Sequence, residues 1–365
     1  MRRVLKKILI IVNIFLAVAL GLSYLSVHIG PQQFWPFAFL GLVYPYLLVA
    51  NFFFLVFWIL KRKKAFLISL ISILAGFNHL NNTLNFNLKK ESASESLTTL
   101  NVITYNVRLF NRYEWTEDKA VYKNIMELIR HRKADLVCLQ EFFVNRNSAP
   151  TEDDLLELLP GLDYKHIHYH DMSPQNRFGI ATLSRYPIIN QGILQFKESL
   201  NLSIFSDILI DDDTIRVYNN HLQSFKIQDN DIEFMNELKL EYYEKQLKDA
   251  HALSQKLRHG FMERAQQVDF VSEHIHKSPH PVIVCGDFND TPMSYAYHTM
   301  RNNLKDSFTE AGMGFGKTYG GRAPSYRIDY ILHSPTINTL SHERLKVPYS
   351  DHFPVFARLI LGSEE

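Results

Sequence analysis

Hydrophobic and polar positions divide the chain into two regions of different character. Three apolar runs fill the first region, at residues 8–27, 37–60 and 65–77. A membrane-spanning helix needs roughly 20 apolar residues, so the first two runs are long enough and the third is the weakest candidate. We therefore predict a membrane region at residues 1–82 with about three transmembrane helices. A cleaved signal peptide is the alternative interpretation of the first run.

Basic residues lie at only some of the ends of these runs. Residues 1–88 contain 8 Lys or Arg and no Asp or Glu, and the basic residues lie before the first run and at 61–64. Because basic loops remain in the cytoplasm, this pattern predicts a cytoplasmic N-terminus and places everything after Asn82 outside. With only two spans the C-terminal region would lie inside, so the third run decides the compartment.

The second region has the alternating pattern of an α/β domain. A polar, Ser-rich stretch at 83–98 is typical of a linker, and residues 99–365 follow it. Short apolar runs predict strands at 100–107, 134–142, 178–188, 205–210, 215–222, 281–288, 326–332 and 354–360. Amphipathic patterns predict helices at 117–132 and 261–276, and a charged insertion at 229–259 is predicted to be a solvated or lid helix.

Charge and cysteine content narrow the possible functions. After residue 88 the chain holds 31 basic and 38 acidic residues, a net charge of −7. This region therefore lacks the basic character of proteins that bind nucleic acid non-specifically. The two cysteines, Cys138 and Cys285, each lie inside an apolar run, which predicts buried free thiols and excludes a disulfide framework.

Polar residues lie at or just after the ends of the predicted strands. Asp287 and Asn289 are separated by one residue, so in an extended chain both side chains point to the same side. A carboxylate and an amide in that arrangement are able to hold and activate a water molecule. An Asx-rich turn is the structural alternative for this GDFND segment. Asp351 and His352 in SDHFP have a similar alternative, a loop before the last strand.

Two carboxylates stand out among the candidates. Glu141 ends the LVCLQ strand, and carboxylate oxygens at strand ends are suitable ligands for a hard cation such as Mg²⁺. Asp329 lies within the apolar IDYIL run, where a carboxylate is costly unless it is paired. A histidine is a natural partner, because catalytic bases are commonly oriented by such a carboxylate.

Taken in order, the motifs ITYNVR, LVCLQE, NNHLQS, VCGDFND, RIDYIL and YSDHF resemble the endonuclease/exonuclease/phosphatase superfamily. That superfamily includes deoxyribonuclease I, neutral sphingomyelinases, inositol polyphosphate 5-phosphatases and AP endonucleases. The resemblance covers about residues 99–361. It implies an α/β fold, a four-layer sandwich of two packed mixed β-sheets flanked by helices, with the site at one end of the sheets.

The resemblance also implies roles for the nucleophile and the metal. Asp287 is expected to be the general base, and Asn106 and Asn289 are expected to orient the nucleophile and the phosphate. Glu141 is expected to bind Mg²⁺, or Mn²⁺, with support from Asp351 and Asn106.

The two histidines are expected to contact the phosphate. By the same resemblance, His221 hydrogen-bonds the phosphate in the transition state, and His352 contacts the scissile phosphate while Asp329 orients it. Which histidine protonates the leaving group stays open. AP endonucleases tend to have Tyr at the position of His221, so this chain is more similar to the deoxyribonuclease I and sphingomyelinase branches.

These patterns favour a membrane-anchored phosphoester hydrolase that depends on Mg²⁺ or Mn²⁺. We expect a multi-pass protein of the cell (inner) membrane with an extracytoplasmic catalytic domain. The acidic domain and the membrane runs slightly favour a lipid headgroup or small phosphoester over nucleic acid. An extracytoplasmic nuclease acting on DNA or RNA is the alternative. A non-catalytic, membrane-tethered binding module is a remote alternative. Such a protein would be expected to have lost some catalytic residues, whereas here every expected site position holds a competent residue.

Overall fold

The computed structural model describes two compact units. The described residues are 2–87, 98–197, 199–227, 230–231, 243–321 and 324–362. One unit comprises Met1–Leu84, Phe225–Gln266 and Asp290–Met300, and the other Asn85–Ser224, Gln267–Asn289 and Arg301–Glu365. Most of the predicted linker (88–97) and part of the predicted insertion (232–242) lie outside the described residues.

Short and long helices make up the N-terminal part of the first unit. They are α1 (Arg2–Ser23), α2 (Pro31–Phe34), α3 (Pro36–Leu42), α4 (Tyr44–Leu60), α5 (Phe66–Ala75) and α6 (Phe77–Thr83), with a 3₁₀ turn at Tyr24–Val27. The other α-helices among the described residues are α7 (Val121–His131), α8 (Glu152–Glu157), α9 (Tyr243–His276), α10 (Tyr295–Arg301) and α11 (Ser307–Ala311).

The predicted membrane spans are only partly reproduced. Arg3–Val27 is one continuous helix long and apolar enough to cross a membrane, by length and composition. The second predicted run is bent by 63° between α3 and α4, and qualifies only if the bent pair is one span. Pro45 accounts for the break, since it has no N–H to continue the helix. The third run forms only the 10-residue helix α5, which ends before Gly76. Three spans are therefore not shown.

Polar side chains are buried among the apolar helices of this unit. Asn13 of α1 donates from Nδ2 to Ser69 Oγ of α5 (3.1 Å), and Trp58 of α4 donates from Nε1 to Asn13 Oδ1 (3.1 Å). Large apolar side chains instead face outward: Phe15 is 71% exposed and Leu60 76%. These helices are apolar outside and partly polar inside.

The charged insertion is not simply a solvated helix. Its described C-terminal part continues into the predicted 261–276 helix, and together they form α9. Leu257 and Phe261 of α9 are buried with Ala38 of α3.

Two six-stranded sheets dominate the second unit. The described strands are β1 (Asn85–Phe86), β2 (Thr99–Asn106), β3 (Leu136–Asn145), β4 (Tyr164–Asp171), β5 (Asn176–Ser184), β6 (Ile188–Gln195), β7 (Leu202–Ile210), β8 (Asp213–His221), β9 (Val282–Asp287), β10 (Lys305–Asp306), β11 (Met313–Gly314), β12 (Asp329–His333), β13 (Ile337–Arg344) and β14 (Val355–Leu361). Strand order is β13-β14-β2-β3-β5-β4 in the first sheet and β10-β12-β9-β8-β7-β6 in the second, with β1-β11 as a separate pair.

Both sheets are mixed and carry helices on their outer faces. The pairs β2-β3 and β8-β9 are parallel, and the other pairings are antiparallel. Val102 of β2 packs in the cluster between the sheets, whereas its neighbour Ile103 packs with Ile125 of α7 on the outer face. On the other sheet, Tyr218 contacts His274 of α9 through a 2.8 Å hydrogen bond. This arrangement confirms the predicted four-layer α/β sandwich.

Candidate active site

The site residues continue the inward-facing rows of the two sheets. Along β2, the inward positions run from Val102 through Thr104 to Asn106, from apolar to polar. On β9, Cys285 packs in the apolar core and Asp287, two residues later, ends the strand. Because alternation keeps every second residue on one face, the same geometry that builds the core delivers polar groups at the strand ends.

A bulge in β3 places Glu141. The pairing with β5 shifts between Gln140 and Phe142, and Glu141 has a left-handed φ of 51°. Its Oε1 accepts a hydrogen bond from Asn106 Nδ2 (3.2 Å). Loss of solvent raises the pKa of the Glu141 carboxyl, while the hydrogen bond from Asn106 opposes that shift. The bulge turns this carboxylate out of the regular ladder and into the site.

The carboxylate of Asp287 is held from several sides. Its Oδ1 accepts from the backbone N–H of Asn289 (2.8 Å). Its Oδ2 accepts from the side-chain amides of Asn106 (3.0 Å) and Asn289 (3.1 Å). Burial raises the pKa of Asp287 to about 6, although neighbouring His352 favours its charged form. A fixed carboxylate with a pKa near neutrality suits a general base.

Gly286 is required for this geometry. Its φ of 136° is a conformation that favours glycine, and a Cβ there would lie 2.1 Å from the carbonyl oxygen of Asn220. Strands β8 and β9 run parallel at this point, so Asp287 is the register partner of His221. Gly286 therefore allows the ends of β8 and β9 to approach closely, with His221 and Asp287 side by side.

His352 lies between two aspartates. Its Nδ1 is 3.0 and 3.1 Å from the two carboxylate oxygens of Asp329, and its Nε2 is 3.7 Å from Asp287 Oδ2. Burial alone would lower the pKa of His352, but Asp329 and Asp287 outweigh it and raise the pKa to about 10. Asp329 and Asp287 are also register partners across β12 and β9. His352 is thus a cation at neutral pH, as a histidine paired with a buried carboxylate is expected to be.

His221 has the opposite electrostatic character. Its Nε2 lies 3.7 Å from Glu141 Oε1. Loss of solvent lowers the pKa of His221, and Asp287 only partly offsets this. The site therefore contains one charged and one neutral imidazole.

The remaining candidate, Asp351, completes the cluster. Its Oδ2 lies 3.3 Å from Arg108 Nε, and its Oδ1 is 3.3 Å from Ser350 Oγ. Ser350 also donates to the backbone carbonyl of Asn106 (2.8 Å). All eight residues singled out from the sequence thus lie at one end of the two sheets: Asn106, Glu141, His221, Asp287, Asn289, Asp329, Asp351 and His352.

Three groups at this end were not singled out by the sequence. Arg108 and Ser350 bridge Asp351 and Asn106, and Tyr319 stacks edge-on against His352 with ring centroids 5.4 Å apart. Arg108 and Ser350 are inside the ITYNVR and YSDHF motifs, so motif membership was the available signal. Tyr319 lies in a loop with no such signal.

Carboxylate and histidine atoms converge closely at one point. Among the described residues, Asp287, Asp329 and His352 have potential ligand atoms within 4.8 Å of one another. In this structure their polar atoms face one another: His352 Nδ1 lies 3.0 Å from Asp329 Oδ2, and its Nε2 lies 3.7 Å from Asp287 Oδ2. We therefore interpret these three residues as a charge-paired triad.

Comparison with known proteins agrees with this architecture. Residues 103–352 match the family model described as "Endonuclease/Exonuclease/phosphatase family". Residues 6–83 match a model described as a domain of unknown function. No curated protein matches the chain.

Several solved structures share the fold. An endonuclease/exonuclease/phosphatase from Beutenbergia cavernae is 18% identical with a TM-score of 0.52, covering 72% of each chain. A family protein from Bacteroides thetaiotaomicron is 18% identical with a TM-score of 0.51, covering 73% of this chain and 100% of its own. The human Nocturnin catalytic domain with bound sulfate is 17% identical with a TM-score of 0.50, covering 72% and 93%.

Members of this superfamily hydrolyse phosphoester bonds and depend on a divalent metal ion. The family model matches more than half of this chain, and the residues of its motifs meet at one end of the sandwich. The chain therefore belongs to the endonuclease/exonuclease/phosphatase family.

Proposed function

We propose that the protein is a membrane-anchored phosphoester hydrolase that depends on a divalent metal ion and uses Asp287 to activate water. The observation that carries the proposal is the pair of Asp287 and His352. A carboxylate with a pKa near 6 lies 3.7 Å from a protonated imidazole. A base and a cation side by side are the two groups needed to deliver a water molecule to a phosphate and to stabilise the resulting charge.

The residues beside this pair fit a hard cation such as Mg²⁺ or Mn²⁺. The carboxylate of Glu141 loses solvent and accepts a hydrogen bond only from the amide of Asn106 among the described residues. The adjacent Asp351 and the amide oxygen of Asn106 are further oxygen donors, the type that these ions prefer. We assign the metal to Glu141, Asp351 and Asn106. A bound ion would neutralise charge on the phosphate and polarise it for attack.

The other residues of the site orient the base and bind the phosphate. Asn106 and Asn289 fix both oxygens of Asp287, so the base is oriented before substrate arrives. Asp329 keeps His352 protonated and oriented, and the imidazolium donates a hydrogen bond to a phosphate oxygen. Neutral His221 is able to donate a further hydrogen bond to the phosphate. Either histidine is a candidate to protonate the leaving group.

Membrane anchoring rests on the N-terminal helices. Arg3–Val27 is long and apolar enough to cross a membrane, and the outward apolar side chains of α1 and α4 suit a hydrocarbon solvent. We propose that α3 with α4, and α5 with the turn after it, also enter the bilayer, which places the catalytic unit outside the cytoplasm. The substrate is then a lipid headgroup or a small phosphoester met near the membrane.

A metal-supplemented screen tests the function. Full-length protein in detergent or nanodiscs is assayed on lipid, nucleotide and inositol phosphoesters and on DNA, with Mg²⁺, Mn²⁺ or EDTA. We expect turnover with either ion, none with EDTA, and a loss of orders of magnitude in Asp287→Asn. Asp163→Asn, an exposed aspartate on the same unit, is the matched control and should keep full activity. Normal turnover by Asp287→Asn would contradict the assignment, and cleavage of DNA alone would favour the nuclease alternative.

A further inference from the structure

A cavity opens beside the site and shares Asp351 with it. It has a volume of about 270 Å³ and is lined by Arg108, Trp115, Gly320, Gly321, Tyr349 and Asp351, among others. This volume is just below the range of roughly 300–1,000 Å³ of drug-sized ligand sites. The cavity therefore fits a small chemical group rather than a whole lipid or a duplex. We call it the Arg108 pocket.

The guanidinium of Arg108 is held in place on two sides. Its Nε lies 3.3 Å from Asp351 Oδ2, and its central carbon lies 4.0 Å from the ring centroid of Trp115. Among the described residues, neither of its two terminal nitrogens has a partner within hydrogen-bond distance. A cation that is ordered before any ligand arrives loses little further conformational freedom on binding.

The Arg108 pocket is continuous with the site. The backbone N–H of Arg108 donates to Asn106 Oδ1 (3.0 Å), and the backbone N–H of Gly320 donates to the carbonyl of Asp351 (2.6 Å). Tyr319, the residue before Gly320, contacts His352. The same short segments thus build both the site and the wall of the pocket, so one substrate is able to occupy both.

The turn that carries Arg108 is strained. Four consecutive residues from Arg108 to Asn111 have left-handed φ values of 47°, 52°, 51° and 63°. Such a run is costly for residues with a Cβ. The side chain of Asn111 holds it, accepting from Thr116 N–H (3.0 Å) and donating to the Thr116 carbonyl (2.9 Å). Strain kept in this way occurs at sites where a side chain must be aimed.

We propose that the Arg108 pocket binds a second phosphate of the substrate, next to the phosphate that is hydrolysed, with Arg108 as its contact. The inference rests on the proposed function and adds a substrate class to it: small molecules or headgroups that carry two phosphates. A guanidinium binds phosphate through two parallel N–H···O bonds, and Arg108 has two terminal nitrogens to offer. Asp351, already engaged by Arg108 Nε, does not present an unpaired charge to that phosphate.

Matched substrates test this inference. The full-length enzyme is assayed with Mg²⁺ on inositol 1-phosphate and inositol 1,4-bisphosphate, and on the dinucleotides TpT and pTpT, which carry the same chemistry from a nucleic-acid source. We expect kcat/KM for the bisphosphate to exceed that for the monophosphate by about tenfold, the size of one charge-assisted contact. Arg108→Gln should remove that preference mainly through KM, and Arg108→Lys should restore part of it. A preference confined to pTpT would assign the pocket to nucleic acid.

A control and a binding measurement complete the test. Arg112→Gln, an exposed arginine after the same turn that does not line the pocket, should keep the preference. Calorimetry with inorganic pyrophosphate and inorganic phosphate requires no turnover, so it separates this inference from the proposed function. Arg108→Gln should weaken pyrophosphate about tenfold and phosphate much less. Equal weakening of both, or no change in either measurement, would mean that Arg108 only holds Asp351 and would overturn the proposal.

Discussion

Both regions of the molecule bury polar side chains, but they bury them in different states. In the N-terminal helices, Asn13 exchanges hydrogen bonds with Ser69 and accepts one from Trp58, all neutral groups. In the sandwich, Asp287 and Asp329 are both almost fully buried and share one cation, His352. The first cluster has neutral partners for the polar atoms of Asn13. The second has an excess of negative charge and raised carboxyl pKa values.

This difference distinguishes polar groups that are buried to hold helices together from carboxylates that are buried to form a functional site. Neutral polar groups that find partners inside an apolar bundle fix which helices pack together. Carboxylates that are desolvated without enough cations nearby destabilise the fold, and such sites persist where a metal ion or substrate supplies the missing charge. The comparison predicts that changes in the first cluster alter stability and leave chemistry intact, whereas changes in the second do the reverse.

The largest effect is expected for His352→Ala. Removing the imidazolium takes away a charged hydrogen-bond donor to the phosphate, so turnover should fall by about 10²–10⁴-fold. Single-turnover kinetics on the best substrate of the screen measures this, and circular dichroism checks that the fold survives. Turnover close to that of the wild type would remove His352 from the mechanism and weaken the contrast between the two clusters.

Topology is the next most decisive measurement. The outward apolar residues of α1 and α4 are explained if lipid surrounds them, and the basic residues at 61–64 then face the cytoplasm. We expect a C-terminal alkaline phosphatase fusion to be active and a fluorescent reporter that folds only in the cytoplasm to be dark. The reverse pattern would show that Phe66–Ala75 does not cross the bilayer.

Much of the catalytic unit was predictable from its sequence. The sandwich strands that carry site residues were predicted because buried strands read as short apolar runs, and the motifs lie at their ends. Three long strands were missed: β4 (YKHIHYHD), β6 (IINQGILQ) and β13 (INTLSHER). All three lie at sheet edges and are too polar to form such a run, and the two-residue strands β1, β10 and β11 were missed as well. The predicted strand at 178–188 ends at Ser184, because Pro187 interrupts the ladder before β6 begins.

The geometry within the site was less predictable. The bulge at Glu141 and the left-handed turn at Arg108 depend on local backbone conformations that the residue pattern does not predict. A histidine partner for Asp329 was anticipated from the cost of a buried carboxylate, and the family resemblance identified that histidine as His352. The membrane region was the least predictable, since apolar run length alone does not show the 63° bend that divides the second run.

Asn13→Leu should affect stability and not chemistry. The change removes the hydrogen bonds that Asn13 makes with the Trp58 N–H and the Ser69 hydroxyl. Interhelical hydrogen bonds in membranes contribute about 0.6–2 kcal/mol each to stability. The thermal midpoint of the full-length protein in detergent should fall, with kcat unchanged. Ile14→Leu, at a largely outward-facing neighbour, is the matched control. A loss of kcat with an unchanged midpoint would contradict the structural role of this cluster.

The smallest effect is a pH dependence of stability from His166, a buried neutral group that lies in the sandwich but outside the site. Burial lowers the pKa of His166 to about 4, with a smaller contribution from neighbouring His168, and its Nδ1 lies 3.0 Å from Ser206 Oγ. In the unfolded chain its pKa is near 6.5, so below that pH the unfolded state binds a proton that the folded state refuses. The contribution of neutral His166 to the free energy of unfolding is therefore complete above about pH 6.5 and is lost as the pH falls toward 4. The loss should reach about 1–2 kcal/mol by pH 5. Thermal midpoints at pH 7.5 and 5.0 should differ less in His166→Gln than in the wild type, and kcat at pH 7.5 should be unchanged. An equal difference in both proteins would mean that this histidine is not kept neutral by the fold, and a loss of kcat would place it among the functional groups instead of the structural ones.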